Sequence, residues 1–439
     1  MQSLKIFFVL VLISPLAGCI SSDRNDATRL DPYLVKDINS GYLSSNPSEG
    51  VPIHQTKFVF PAADGSNGTT LWITDGTEKG TNMISGISID KNADYSDSPN
   101  FKLFSFGDLV FFEIWYGSHS SFWRTDGSTA SFMVDLNELS RNDHYTPHVI
   151  VDSNLIFSSS GSEYRYNLEE EALTRMGTYN EGMTNIFEWR GEFFFSDDSA
   201  LYHLNPLDFS RELIFDFDSE NSLDEPIFWH KIRNLNNQQL LFCVGEEDYF
   251  VNTHICEEIW LTDGTSDGTR LFKENPRSSS WLSSGVGEIV DFEVLHGDIF
   301  ISTNTEHLYQ LHMDGNQTIV RDLFPGKADR IEELFATDDL IYFDAYDGSA
   351  HWYVSDGTYE GTKRWGAGEG YPDVIYELDN KLVLGFDEQG TYLFESDSAK
   401  KIGNENWART IIGLTSTHLY ISGESNNDDI GTELWAIQF

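Results

Sequence analysis

One phrase constrains this chain more than any other feature: E-I-W-L-T-D-G-T-S-D-G-T-R-L-F-K, from Glu258 to Lys273. It returns as T-L-W-I-T-D-G-T-E-K-G-T-N-M from Thr70 and as H-W-Y-V-S-D-G-T-Y-E-G-T-K-R from His351. A decayed copy, S-F-W-R-T-D-G-S, starts at Ser121, and G-T-E-L-W-A-I-Q-F ends the sequence at Phe439. Ile259-Trp260-Leu261 is aromatic and β-branched, so it reads as a strand. Asp263-Gly264 then breaks it, because glycine supplies a positive φ and aspartate caps its own backbone. Gly268 ends the connection and Thr269 to Phe272 is the next strand. The four copies that continue past this strand are hairpins whose turns open on an Asp-Gly pair: Asp75-Gly76, Asp126-Gly127, Asp263-Gly264 or Asp356-Gly357.

The period extends beyond the clear copies. Weaker units place tyrosine where the strong ones place tryptophan. The anchors are Trp72, Trp123, Tyr164, Tyr202, Trp260, Tyr309, Trp352, Tyr392 and Trp435, spaced by about 45 residues. Aromatics make up 14% of the chain, short alternating runs are separated by Gly, Asn and Asp, and no amphipathic helix stands out. A period of about 40–50 residues with four strands per unit is the signature of propeller blades. The expected fold is an all-β propeller of four-stranded antiparallel blades, nine by this count, or eight if one faint copy is not a unit. Second strands recur as F-V-F (58–60), V-F-F (110–112), L-I-F (155–157), F-F-F (193–195) and I-Y-F (341–343), suited to burial between blades. The last unit stops after its third strand, while Tyr33 to Ile38 (Y-L-V-K-D-I) matches a fourth strand with no unit of its own. Pairing the two would close the ring and remove both edges.

These residues resemble the ELWxxDGT repeat of bacterial surface and secreted proteins, whose consensus ends in a strand like L-V-K-D-I. The resemblance covers most of the chain as a period and about five copies as a motif. It implies propeller-like blades and no general biochemical activity.

Residues 1–18 read as a secretory signal: Lys5, an apolar run from Ile6 to Ile13, then small residues. The run is too short to span a bilayer. Leu16-Ala17-Gly18-Cys19 resembles a bacterial lipobox, which would make Cys19 the lipidated first residue of the mature protein. Ile20 and Ser21 follow it, and by resemblance to the sorting rules of enteric bacteria the absence of Asp there implies the outer membrane. Residues 19–32 read as a flexible polar tether and residues 33–439 as one propeller domain. The chain has 28 basic and 71 acidic side chains, a net −43. Removing residues 1–18 takes away only Lys5 and leaves 27 against 71, or −44. Such charge argues against nucleic acid and anionic headgroups as partners and fits a protein kept soluble and monomeric by repulsion.

Besides Cys19 there are only Cys243 and Cys256, expected on adjacent antiparallel strands of the fifth unit. In an exported protein they are expected to pair, stabilising by about 3 kcal/mol in the chain-entropy model. A free thiol pair is the alternative.

The motifs carry little chemistry. Oxygen-rich turns around Asp75, Asp263, Asp267 and Asp356 could ligate Ca²⁺, but the EF-hand spacing is absent, and hydrogen bonding to their own backbone is the simpler role. No H-E-x-x-H, zinc spacing, nucleophile elbow or phosphate loop occurs, so no catalytic residue, metal ligand or cofactor is expected. The geometry of a blade says more. Turns joining first to second and third to fourth strands are short or uniform and share one face. The opposite connections vary in length, and variable loops on a rigid scaffold are where binding sits. They carry Trp115, Tyr116, Tyr249, Trp281, Tyr371 and Trp407 among many acids. The expectation is a lipid-anchored envelope scaffold that binds another envelope protein or a surface polysaccharide without catalysis. A polysaccharide lyase or hydrolase with acids on the loop face, and a calcium-stabilised adhesion module, are the alternatives.

Overall fold

A computed structural model describes residues 30–87, 99–116, 119–136, 146–159, 162–178, 185–196, 200–208, 210–217, 228–245, 247–248, 253–254, 258–274, 289–303, 307–323, 330–346, 350–369, 374–378, 381–386, 390–395, 398–403, 409–424 and 430–439. Among these, strands form nine four-stranded antiparallel sheets and one two-stranded ribbon, with no α-helix. We number the sheets I to IX: 51–83, 100–135, 146–178, 185–216, 228–274, 289–322, 330–369, 374–402 and 409–438. In sheets I to VIII the four main strands, a to d, follow one another in space as in sequence. Sheet IX supplies three strands of its own, and Tyr33–Lys36 is its fourth, with Leu34 opposite Trp435. All nine anchor aromatics fall on strand c. The ribbon, Glu247–Asp248 against Thr253–His254, lies in the b–c connection of sheet V.

Sheets pack face to face, so strand b is buried on both sides. Phe58, Val59 and Phe60 are fully buried. Because alternate residues face opposite ways, Phe60 packs toward sheet IX and Val59 toward sheet II. The pattern runs on. Phe111 and Met133 meet Leu155 and Phe157 between II and III, and Ile156 meets Phe193 and Phe195 between III and IV. Phe194 and Ile214 meet Phe242 and Trp260 between IV and V. Sheets V to VI and VI to VII join in the same manner. Strand d of VII abuts VIII, Val383 and Leu393 pack on IX, and IX packs on I through Tyr420, Leu434 and Val35. The architecture is all-β and propeller-like.

Two devices in this packing escaped the sequence reading. The first is a bulge between strands c and d beside the anchor. Trp123 pairs Phe132 while Phe122 pairs Val134, leaving Met133 over. Tyr202 and Leu201 leave out Ile214, Trp260 and Ile259 leave out Phe272, and Trp435 and Leu434 leave out Val35. A bulge rotates the extra residue out of alternation. Here the extra residue is apolar and joins the cluster shared with the following sheet.

The second device is a cationic latch. Lys36 Nζ donates to Thr81 O at 2.8 Å, Arg124 to Leu168 O at 2.9 Å, Arg165 to Leu207 O at 2.7 Å and Lys273 to Gly315 O at 3.2 Å. Arg321 donates to Thr362 O likewise. In each case a basic side chain of one sheet satisfies a carbonyl at the c–d turn of the next. Five of the few basic residues in a strongly acidic chain are thus used to tie sheet to sheet.

The N-terminal segment is ordered earlier than the expected tether boundary at residue 32. Leu30 makes a parallel bridge to Ile402, donating to Lys401 O and accepting from Gly403 N, each at 2.8 Å. A single short segment therefore ties the edge of sheet VIII to sheet IX.

Three units depart from the apolar rule beside the anchor, with His351 in sheet VII, Thr391 in sheet VIII and Glu163 in sheet III. Glu163 occupies the position that Leu71, Phe122, Leu201, Ile259, Leu308 and Leu434 hold in other sheets, just before the anchor, and it is 1% exposed. Burial pushes its pKa up to about 8. Between its ordinary value of 4.5 and about 8 the folded state holds a proton that the unfolded state has lost. Stability therefore falls as pH rises through that window and is flat above it, with a total loss of about 5 kcal/mol. Glu163→Gln should melt close to the parent at pH 5 and well above it at pH 9. Parallel melting curves across that range would show that Glu163 does not titrate in this way.

Candidate functional site

The Asp-Gly turns repeat from sheet to sheet, and their carboxylates are the candidate Ca²⁺ ligands. In sheet I, Asp75 Oδ1 accepts from Thr77 N at 2.9 Å and Thr77 Oγ1 at 2.7 Å. Gly80 N donates to Thr77 Oγ1, Gly76 N to Thr74 Oγ1, and the Thr74 and Thr81 hydroxyls meet at 2.7 Å. The same network recurs around Asp263 and Asp356. Donors from Thr77 hold Asp75 below the usual carboxylate range, and the Ser128 hydroxyl and backbone hold Asp126 at about 2. These oxygens serve their own turns. Among the described residues no three His, Cys, Asp or Glu side chains gather in a way that could hold a metal ion.

The turn glycines do more than supply φ. Gly76, Gly127, Gly264 and Gly357 all have φ between 86° and 90°. A Cβ on Gly76 would stand 2.5 Å from His418 Nε2 of sheet IX, and one on Gly127 2.5 Å from Ile73 of sheet I. On Gly357 it would meet Phe300 of sheet VI at 2.8 Å, and on Gly264 it would meet Phe194 of sheet IV at 3.3 Å. Each turn is thus pressed against the preceding sheet, a contact that only glycine permits.

Of the residues expected on the loop face, Trp115 and Tyr116 end strand b of sheet II, and Trp115 is half-buried opposite Asn100 and Ser120. Tyr249, Trp281, Tyr371 and Trp407 lie outside the described residues, as do Cys19 and Cys256. Cys243 is 1% exposed and disulfide-bonded.

The same face carries a feature the sequence reading passed over, the connection 37–50 from the N-terminal strand into sheet I. Its organiser is Glu433, which is fully buried. Its carboxylate accepts from Ile38 N at 2.8 Å, Ser45 N at 2.9 Å and Ser45 Oγ at 2.6 Å. Burial raises its pKa against these donors. Around it, Gly41 N reaches Asp37 Oδ2, Gly431 N reaches Gly41 O, Thr432 N reaches Ser44 Oγ and Ala63 N reaches Ser45 O. The loop is anchored at almost every residue except its tip, where Tyr42 is 80% and Leu43 50% exposed. The available signal was an aromatic–aliphatic pair inside an otherwise polar connection, G-Y-L-S.

Two cavities lie at the opposite end, among the a–b turns. One of about 330 Å³ is lined by residues including His54, Ser105 and Ser416. His54 Nδ1 meets Asp108 Oδ1 at 2.9 Å, the relation a catalytic histidine has to its orienting acid. Its Nε2 faces Asp126 O at 3.3 Å, while Ser105 donates to Pro52 O and Ser416 to Gln55 O, so no serine is activated. The other cavity, about 480 Å³, is walled by Arg233, Asn234, Glu293, His296, Thr337 and Asp338. Behind it Lys231, at φ 48° in a bulge of strand a, bridges Asp291 at 2.7 Å and Glu293 at 2.8 Å and donates to Leu334 O of sheet VII. Arg233 grips both oxygens of Glu293 at 2.7 Å. Burial pushes Asp291 up despite Lys231. Both acids are committed to basic partners, which suits cross-bracing of three sheets better than proton transfer.

No family model matches the chain, and no curated protein matches it. Solved structures are similar at low identity. Porphyromonas gingivalis dipeptidyl peptidase 4 is 11% identical, with 87% of this chain and 65% of that one covered and a TM-score of 0.50. The computationally designed Ika8 protein is 11% identical over 84% of this chain and 99% of its own, with a TM-score of 0.45. BamB from Moraxella catarrhalis is 11% identical over 81% and 96%, with a TM-score of 0.41. At this identity the peptidase bears on fold alone, and this chain spans less than two thirds of it.

Proposed function

We propose that this chain is an exported lipoprotein, acylated on Cys19, whose nine sheets close into a nine-bladed β-propeller that binds an envelope partner through its loop face. The observation that carries the binding role is the connection 37–50, where a buried carboxylate and flanking backbone bonds hold an aromatic–aliphatic tip in solvent. Ring closure is supported by the pairing of Tyr33–Lys36 with Glu433–Gln438 and by the packing of sheet IX on sheet I. The Leu16-Ala17-Gly18-Cys19 sequence supports the anchor, and the residues after it support an outer-membrane address. The partner is another envelope protein or a surface polysaccharide. A scaffold rather than an enzyme fits the acids Asp291 and Glu293, since both are tied to Lys231 or Arg233.

Labelled-lipid incorporation and detergent partition, measured on the full chain and on Cys19→Ser, test the anchor. The parent should take up label and enter the detergent phase, and the variant should do neither. Uptake by both proteins would remove Cys19 from the proposal.

A further inference from the structure

We infer that Tyr42 and Leu43, at the tip of the pinned 37–50 connection, are the docking point for a basic protein segment that carries an apolar residue among its Lys and Arg side chains. The inference rests on the scaffold reading above and names its site and the chemistry of its partner.

The argument begins with order. Residues on both sides of the tip are hydrogen-bonded into the sheets: Gly41 to Asp37 and Gly431, Ser44 to Thr432, and Ser45 to Glu433 and Thr432. A partner that seats on this tip meets a loop already held in shape, so little further ordering is needed. Single exposed apolar residues are ordinary, but Tyr is among the residue types enriched at interface anchors, and Leu43 adds exposed apolar area directly beside Tyr42.

Charge selects the partner. Segments 37–50 and 61–69 contain Asp37, Glu49 and Asp64 and no Lys, Arg or His. Glu424, exposed, bonds the Thr432 hydroxyl beside the loop. With a net charge of −43, a second copy of the chain, an anionic membrane or an acidic polysaccharide would be repelled. A basic segment would be drawn in, with steering that weakens as salt is raised.

A displayed peptide library, selected on the immobilised full chain and counter-selected on the Tyr42→Ala/Leu43→Ala double variant, tests this. Both side chains are exposed, so the variant should melt like the parent. Peptides retained by the parent alone should place Lys or Arg around an apolar residue. They should bind the variant at least tenfold more weakly and lose affinity between about 50 and 300 mM salt. Glu49→Lys keeps the apolar tip and should weaken the same peptides while flattening their salt dependence. Selected peptides that ignore Tyr42 and Leu43 would overturn this site and leave the scaffold reading standing. Failure to select any peptide on either protein would count against both. Tip-dependent peptides without basic residues, or tip-dependent capture on an array of neutral glycans, would overturn the partner chemistry.

Discussion

Deleting residues 19–38 should lower the melting temperature sharply, whereas deleting residues 19–29 should leave it nearly unchanged. The shorter deletion stops before Leu30, the first of the described residues and one that is paired to a sheet. The longer one removes the strand opposite Glu433–Gln438, the buried side chains Val35 and Ile38, the Lys36 latch to Thr81 and the Tyr33 hydroxyl bond to Gly76 O. It also takes the Ile38 donor from the buried Glu433 carboxylate, leaving it the two donors of Ser45, and an under-satisfied buried carboxylate adds to the cost. Two buried aliphatics and these polar bonds together amount to about 5 kcal/mol or more. The newly bare edge of sheet IX should also promote association. Melting followed by calorimetry, with size-exclusion chromatography, reads both effects. Equal melting temperatures for the two deletions would mean that the N-terminal strand is ornamental and that the ring need not close through it.

Gly264→Val should cost about 3 kcal/mol or more. Its φ of 89° resists a β-branched side chain, and its Cβ would sit 3.3 Å from Phe194 and 3.5 Å from Trp189 of the preceding sheet. Gly315→Val separates the two causes. That glycine has φ 81° with no heavy atom within 4 Å of the added Cβ, so it should cost only the backbone term of about 1–2 kcal/mol. Denaturant titration of the two variants gives the comparison. Equal losses would show that the Asp-Gly turns are held by backbone conformation alone and that close approach between sheets contributes nothing.

The sequence pattern was most legible where the relevant interactions are local. The fifth unit illustrates it: the strands read at Ile259–Leu261 and Thr269–Phe272 are observed at Glu258–Thr262 and Arg270–Glu274. Alternation of side chains and the turn chemistry of Asp263-Gly264 act within a few residues, so one chain of letters contains them. The candidate site was much less legible. Residue type alone does not set exposure: Trp115, expected on the loop face, lies on strand b and is half-buried. Tyr42, in the 37–50 connection, is the most exposed of the large apolar side chains described.

Sequence alone determined the repeat, the strand that carries each anchor, the Asp-Gly turns and the partnership of the first strand with the last. Each follows from composition and spacing inside a unit, or from a strand that lacks one. Tertiary structure alone decided why Met133, Ile214, Phe272 and Val35 leave the alternation, which carbonyl each latch reaches, and why the turn glycines admit no side chain. It also decided that Glu163 is buried and that Leu30 is held. All of these depend on the neighbouring sheet, about one period or more away in the chain. The bonds that set Tyr42 in place join Ser45 to Glu433 across 388 residues. Exposure is a property of what fails to pack against a side chain, and no local pattern of residues encodes it.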